Sequence, residues 1–217
     1  MLKIFVLIFM LTLLQANDLT MKKEHFSPLN NILSSAKFEM RYFTHNNFLG
    51  RPVKGYSAPI CYLSNEAAFS LKKVEETLNK VHLQLIIFDC YRPQRAVNDF
   101  VLWAKELNNT KMKAIYYPYV QKKDLFKEGY IAARSGHSRG STIDLSIEGL
   151  DMGTPFDFFD PSSHTLSPVI TSQQQKNRLY LKKVMEDNGF KNYVQEWWHY
   201  TLINEPFKRH YFDFEVK

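Results

Sequence analysis

Helical periodicity is the strongest pattern in the chain. In the segment 64–82, apolar residues recur every three or four positions from Ala67 to Val81. This spacing places them on one face of a helix. Ser64 and Asn65 stand just before the pattern, and both are residue types that cap helix N-termini.

Two further helices are predicted on similar grounds. One begins near Pro93, a residue tolerated at a helix start because its missing N–H needs no partner there, and its apolar positions run from Val97 to Ala104. The other covers 171–189 and opens with capping-box residues, Thr171 with Gln174 or Ser172 with Gln175. Gly189 suits the position that follows a helix C-terminus.

Strand signals occur in three segments. The segment 83–89 is a short apolar run, 141–147 alternates apolar with polar residues, and 192–203 is aromatic and β-branched. The segments 108–128 and 149–170 carry the polar, Pro and Gly residues of irregular structure. With no linker and no repeat, the pattern predicts a single α+β domain with a central, largely antiparallel sheet flanked by helices.

The first 16 residues have the features of a secretory signal peptide. An early lysine is followed by an apolar run of 11 residues from Ile4 to Leu14, and cleavage is expected between Ala16 and Asn17. The run is short of the roughly 20 residues that span a bilayer as a helix. The alternative is an uncut membrane anchor. We expect an exported, periplasmic protein whose domain covers 17–217, with no membrane span in the mature form.

Charge and cysteine content limit the possible partners. The net charge is +6, but the basic residues are spread along the chain, so no nucleic-acid-binding patch is predicted. Cys61 and Cys90 do not have the spacing of a zinc motif. In an exported chain they could form one disulfide, and the alternative is two buried free thiols.

Candidate chemistry lies in two short stretches. "SGHSRGSTIDLSI" contains His137 and Asp144, and "EWWHY" contains Glu196 and His199. Two imidazoles and one carboxylate leave one position open on a tetrahedral Zn²⁺, as in a catalytic zinc site. Glu196 beside it could then act as general base. On a regular strand, however, residues three apart face opposite ways. Either a bulge re-aims one side chain, or the strand prediction fails at this point.

Arg92 is a further candidate. It lies just after a predicted buried strand and just before a predicted helix, where functional side chains often emerge. A fixed guanidinium at that place could stabilise the oxyanion of a tetrahedral intermediate. The alternative is an arginine that pairs with an acid on the surface.

These stretches match family motifs. "SGHSRGSTIDLSI" and "EWWHY" resemble the S-x-H-x-x-G-x-x-x-D and E-x-W-H motifs of the zinc D,D-peptidases. "YRPQRAV", "FDFFD", "NRLYLKKVMEDNGF" and "YFDFEVK" extend the likeness over about 37–217, and together they resemble D-alanyl-D-alanine dipeptidases of the vancomycin-resistance type. The leader is a departure, because the resistance enzyme works in the cytoplasm.

The resemblance implies a zinc D,D-peptidase-like fold and one Zn²⁺ per chain. The metal ligands it implies are His137, Asp144 and His199. It gives Glu196 the role of base and Arg92 the role of oxyanion partner. Three residues are implied to bind substrate, namely Asp157 at the ammonium group and Tyr42 and Ser135 in the dipeptide pocket.

Three functions follow as hypotheses. The first is an exported zinc dipeptidase that hydrolyses free D-Ala-D-Ala in cell-wall dipeptide salvage. The second is a D,D-carboxypeptidase or endopeptidase that trims peptidoglycan stem peptides. The third is a zinc-binding module without catalysis. The sequence does not indicate an oligomeric state.

Overall fold

The computed structural model describes residues 20–22 and 24–217. The predicted signal peptide, residues 1–16, therefore lies outside the described residues. Within the described ranges, no helix is both long and apolar enough to cross a membrane.

The predicted helices are confirmed. They are α1 (Asn65–Asn79), α2 (Gln94–Lys105) and α4 (Ser172–Asp187), and a four-residue helix, α3 (Lys113–Tyr116), lies in a segment that was predicted to be irregular. The Ser64 hydroxyl accepts a hydrogen bond from the main-chain N–H of Ala67 at the start of α1. Of the two possible capping boxes at α4, the structure forms that of Thr171 with Gln174.

A five-stranded sheet forms the centre of the domain. Its strands, in spatial order, are β2 (Lys37–Phe38), β4 (Leu85–Asp89), β5 (Thr142–Ile147), β7 (His199–Leu202) and β6 (Phe190–Asn192). Only the β2–β4 pair is parallel, so the predicted largely antiparallel sheet is confirmed. A small second sheet pairs β1 (Phe26–Pro28) with β3 (Tyr62–Ser64). Every residue of β5 is buried.

The prediction of one strand over 192–203 is wrong. The chain leaves β6 at Asn192, turns, and enters β7 at His199. Within the turn the N–H of Glu196 donates to the Tyr193 carbonyl at 2.9 Å, and the N–H of His199 donates to the Glu196 carbonyl at 3.3 Å. The aromatic and β-branched composition concealed a tight reversal of the chain.

Cys61 and Cys90 form a disulfide, with their Cα atoms 5.3 Å apart. The bond joins the residue before β3 to the residue after β4, which ends at Asp89. Of the two alternatives for these cysteines, the structure thus forms the disulfide. The bond fixes the end of β4 next to the small sheet.

Candidate active site

A tight turn places the first candidate ligand, His137, shortly before the start of β5. The Ser135 hydroxyl accepts a hydrogen bond from the His137 N–H, at 3.3 Å, and a 3₁₀ turn follows over Gly136–Arg139. Gly140 ends the turn with a φ of 84°, a left-handed conformation that favours glycine, and a Cβ there would overlap the ring of Phe26. The small residues thus let the chain turn sharply back into β5.

Sheet pairing brings the other two ligands together. Asp144 on β5 lies directly opposite His199 on β7 and opposite Asp89 on β4. His137 Nε2 is 3.2 Å from Asp144 Oδ2 and 3.3 Å from His199 Nδ1. His199 Nδ1 is 3.1 Å from Asp144 Oδ1. Two histidine nitrogens and the Asp144 carboxylate therefore converge on one point.

This group fits a tetrahedral metal ion. Ligands at about 2.0 Å from a tetrahedral zinc ion lie about 3.3 Å from one another. The two histidine nitrogens have this separation, and each lies at a similar distance from one of the two Asp144 oxygens. Asp144 Oδ1 is buried and accepts no hydrogen bond from the described residues, although His199 Nδ1 is near. A buried carboxylate oxygen without a donor is costly unless a cation faces it. Two histidines and one aspartate also form a donor set that suits Zn²⁺.

The electrostatics favour the ligand forms of His137 and Asp144. His137 Nδ1 lies 2.7 Å from the Cys90 carbonyl oxygen, so this nitrogen carries the proton and Nε2 presents its lone pair to the site. Burial lowers the pKa of His137, which favours the neutral ring. Burial alone would raise the pKa of Asp144, but the nearby His137 and His199 outweigh it and hold that pKa well below its usual range.

Glu196 reaches the site from the turn before β7. Its Oε2 lies 3.4 Å from His199 Nδ1, next to the three ligand atoms. Burial raises the pKa of Glu196. The turn resolves the problem of spacing, because Glu196 is not part of the strand that presents His199. A carboxylate with a raised pKa beside a metal site can exchange protons near neutral pH.

Arg92 is held by a residue that sequence reasoning missed. Asp89 Oδ2 accepts a hydrogen bond from Arg92 Nε at 2.9 Å and also lies 2.9 Å from Arg92 Nη2. The Tyr56 hydroxyl donates to Asp89 Oδ1 at 2.7 Å, and Asp89 Oδ2 is 3.5 Å from His137 Nδ1. A fully buried carboxylate therefore orients the guanidinium and lies beside one predicted metal ligand. The signal in the sequence was an acid that ends a buried apolar strand.

Asp157 and Tyr42 form a second polar pair. The Tyr42 hydroxyl donates to Asp157 Oδ2 at 2.8 Å, and both side chains are buried. Asp157 has a φ of 61°, which is unusual for a residue other than glycine. Burial, followed by the nearby Asp144, raises the pKa of Asp157 well above its usual value. Such a carboxyl group is suited to receive a cationic partner.

One cavity of about 240 Å³ contains all the predicted site residues. Its lining includes the predicted metal ligands, the predicted base, the predicted oxyanion partner and the predicted substrate-binding residues, which are Tyr42, Arg92, Ser135, His137, Asp144, Asp157, Glu196 and His199. Positions separated by more than 150 residues in the chain thus converge on one cavity.

Comparisons with known proteins show the family to which this chain belongs. A family profile of peptidase family M15, described as D-ala-D-ala dipeptidase, matches residues 22–217. A D-alanyl-D-alanine dipeptidase of Enterococcus faecium is 40% identical over an alignment of 198 positions, and the alignment covers 88% of this chain and 98% of that protein. The chain belongs to the D-Ala-D-Ala dipeptidase family.

More distant members of the family share most of the chain. A D-alanyl-D-alanine dipeptidase of Streptomyces coelicolor is 36% identical and covers 88% of this chain and 98% of its own length. One from Escherichia coli is 32% identical and covers 79% of this chain and 81% of its own length.

A comparison with solved structures found a vancomycin-resistance D,D-pentapeptidase in complex with Zn(II). The match covers 70% of this chain and 78% of that chain, with 13% sequence identity and a TM-score of 0.42.

In this member of the dipeptidase family, a fully buried arginine supports the segments that flank Asp157. Arg178 on α4 donates to the carbonyl oxygens of Met152, Ser162 and His164, which flank Asp157. Its Nη2 also lies 3.3 Å from the Thr154 hydroxyl.

Thr154 continues this support to the turn that carries Glu196. Its hydroxyl accepts the indole N–H of Trp197 at 2.9 Å. Trp197 and Trp198 are buried, so their rings contribute to the packing of the core. Sequence reasoning missed Arg178. An arginine on a half-exposed helix is expected to face solvent, and nothing else in the sequence indicated that this one is buried.

Proposed function

We propose that the chain hydrolyses D-Ala-D-Ala to two molecules of D-alanine, with one zinc ion bound by His137, Asp144 and His199. The observation that carries the proposal is the three-way convergence of these ligand atoms beside Glu196, in a cavity that also contains Arg92 and Asp157. A purely structural zinc site needs neither a neighbouring base nor an arginine. The hypothesis of a non-catalytic zinc module is therefore disfavoured.

The cavity is suited to a free dipeptide. Asp157 is a buried carboxylate that can pair with the substrate's ammonium group, and the Tyr42 hydroxyl fixes its orientation. A peptide blocked at its amino end would leave this carboxylate buried without a cationic partner, which is costly. The same argument disfavours peptidoglycan stem peptides, whose D-Ala-D-Ala unit has no free amine.

The reaction follows from the positions of the side chains. When bound, zinc supplies a Lewis acid that activates a water molecule. Glu196 takes a proton from the attacking water and passes it to the amide nitrogen as the C–N bond breaks. Arg92, held by Asp89, donates hydrogen bonds to the carbonyl oxygen as negative charge develops on it. Asp157 keeps the amino end in place throughout.

We also propose that the protein is exported to the periplasm and acts in salvage of dipeptides released from the cell wall. The composition of residues 1–16 supports export. The Cys61–Cys90 disulfide is a further support, because such bonds persist in oxidising compartments. Fractionation of cells that express the full chain, with N-terminal sequencing of the product, tests this. Recovery of the uncleaved chain from the cytosol contradicts it.

The decisive test of the activity uses two substrates. Zinc-loaded protein covering 17–217 is incubated with D-Ala-D-Ala and with N-acetyl-D-Ala-D-Ala, and released D-alanine is measured. We expect turnover of the free dipeptide and at least about 100-fold weaker turnover of the blocked one, as a lost charge pair implies. Equal turnover of both would favour the carboxypeptidase hypothesis. Turnover of neither would reject the proposed activity.

A further inference from the structure

The cavity wall holds one cation without an acidic partner. Five charged side chains other than histidines line the cavity, and they are Arg92, Arg134, Asp144, Asp157 and Glu196. Arg92 forms an ion pair with Asp89 at 2.9 Å, and the Asp144 carboxylate lies within 3.2 Å of a nitrogen of each histidine. Arg134 forms no ion pair with an acid in the described part of the chain. Its contact is with the ring of Tyr211, 4.9 Å from the guanidinium carbon.

Arg134 and Asp157 differ in depth. Asp157 is 6% exposed and forms no ion pair with any described basic residue, whereas Arg134 is exposed, at the residue before Ser135. The cavity therefore presents a buried acid without a basic partner and an exposed base without an acidic partner among the described residues. A ligand with one positive and one negative end is complementary to this arrangement.

We propose that Arg134 binds the C-terminal carboxylate of the dipeptide and so determines specificity for a free carboxyl end. The inference rests on the proposed function and deepens it. With the ammonium on Asp157 and the carboxylate on Arg134, the scissile amide lies between them, beside Glu196 and Arg92. A guanidinium matches a carboxylate with two parallel hydrogen bonds, and stacking on Tyr211 holds it ready.

This assignment separates the two ends of the substrate. The amino end enters the buried part of the cavity, so a blocking group there is excluded by both charge and space. The carboxyl end faces the exposed arginine, so its conversion to an amide removes the charge pair without adding a large group. Loss of an exposed charge-assisted pair corresponds to about a tenfold loss of affinity.

The test separates binding from turnover. Dissociation constants of D-Ala-D-Ala and of its C-terminal amide are measured by calorimetry on zinc-loaded Glu196→Gln protein, with and without Arg134→Gln. We expect the parent to prefer the acid over the amide by about tenfold, and Arg134→Gln to abolish this preference by weakening only the acid. Lys127→Ala, which removes an exposed charge from a neighbouring loop outside the cavity lining, should leave the preference unchanged.

The outcomes are distinct from those of the activity test. An acid preference that survives Arg134→Gln, or an equal loss for acid and amide, overturns the role of Arg134 while D-alanine release by the wild type still stands. A parent protein with no acid preference overturns it as well. Absence of turnover in the wild type, with the preference and its loss observed, rejects the proposed reaction but keeps the carboxylate site.

Discussion

His137 Nδ1 lies 2.7 Å from the main-chain carbonyl oxygen of Cys90, and Cys90 is bonded to Cys61. The disulfide therefore fixes the acceptor that sets the tautomer of a metal ligand. The backbone of Arg92 adds to this link, because its N–H donates to the His137 carbonyl at 3.3 Å. The oxidised state of two cysteines thus supports both the fold and the metal site.

Replacement of both cysteines tests this link. We expect Cys61→Ser with Cys90→Ser to lower the free energy of unfolding by about 3 to 4 kcal/mol, the entropy effect of opening a loop of this size. Zinc affinity should fall as well, because the Cys90 carbonyl is less firmly placed. Urea unfolding of the zinc-loaded proteins and competition with a chelator measure the two effects. The wild-type protein with its disulfide reduced is the control. An unfolding midpoint that changes neither in the double variant nor in the reduced wild type would contradict the prediction.

Asp89 is expected to support the site although it is not one of the predicted metal ligands. Asp89→Asn weakens the hydrogen bonds to Arg92 and removes the charge near His137. We expect zinc affinity or kcat/KM to fall by about 10- to 100-fold, the usual effect of losing such a supporting partner.

A second buried aspartate provides the control for Asp89. Asp99 is 2% exposed and pairs with Arg51 at 2.7 Å, but it does not line the cavity. Asp99→Asn should lower stability while zinc affinity per folded molecule stays normal. Equal losses of zinc affinity in both variants would show that the effect of Asp89 is only structural.

Glu196 should be separable from metal binding. Glu196→Gln keeps the size of the side chain and removes the carboxylate, so we expect kcat to fall by about 10²- to 10⁴-fold, as for loss of a general base. Zinc content, measured by atomic absorption, should stay at one ion per chain. Glu128 lines the adjoining small cavity, and the control variant Glu128→Gln should keep most of the activity. Loss of zinc from Glu196→Gln would contradict a purely catalytic role.

The structure brings together the site residues that the sequence predicted, whereas it contradicts part of the predicted local structure. His137, Asp144, Glu196 and His199 could be found because metal ligands and bases need particular residue types, and these stand in short motifs. The turn at 193–198 could not be found, since it contains neither Gly nor Pro.

Its cause is tertiary. The N–H of Thr165 donates to the Val194 carbonyl, and the N–H of Trp197 donates to the Ser163 carbonyl, so a distant loop takes the hydrogen bonds that a continuous strand would need. Asp89 and Arg178 were missed for a related reason. A side chain that supports others has no motif of its own, and its partners become known only when the chain is folded.

Arg178 offers a test of that support. Arg178→Gln would leave buried carbonyl oxygens of Met152, Ser162 and His164 without their donor, at a cost of about 1 to 3 kcal/mol each. We expect lower stability and, in the protein that remains folded, a higher KM, because these carbonyls flank Asp157. Lys183→Gln, at an exposed position of the same helix, is the control. A stability loss with unchanged KM would confine Arg178 to folding.

The ionisation of Asp157 should give the acid limb of the pH profile. Burial raises its pKa, and it binds an ammonium only when ionised, so kcat/KM should rise with pH as the carboxyl group loses its proton. The Tyr42 hydroxyl donates to Asp157 Oδ2 and stabilises the charged form. Tyr42→Phe removes that donor, which raises the pKa of Asp157 further and moves the acid limb to higher pH. Profiles of kcat/KM for D-Ala-D-Ala measure the shift. A limb that stays in place would assign it to another group, such as Glu196, which Tyr42 does not contact.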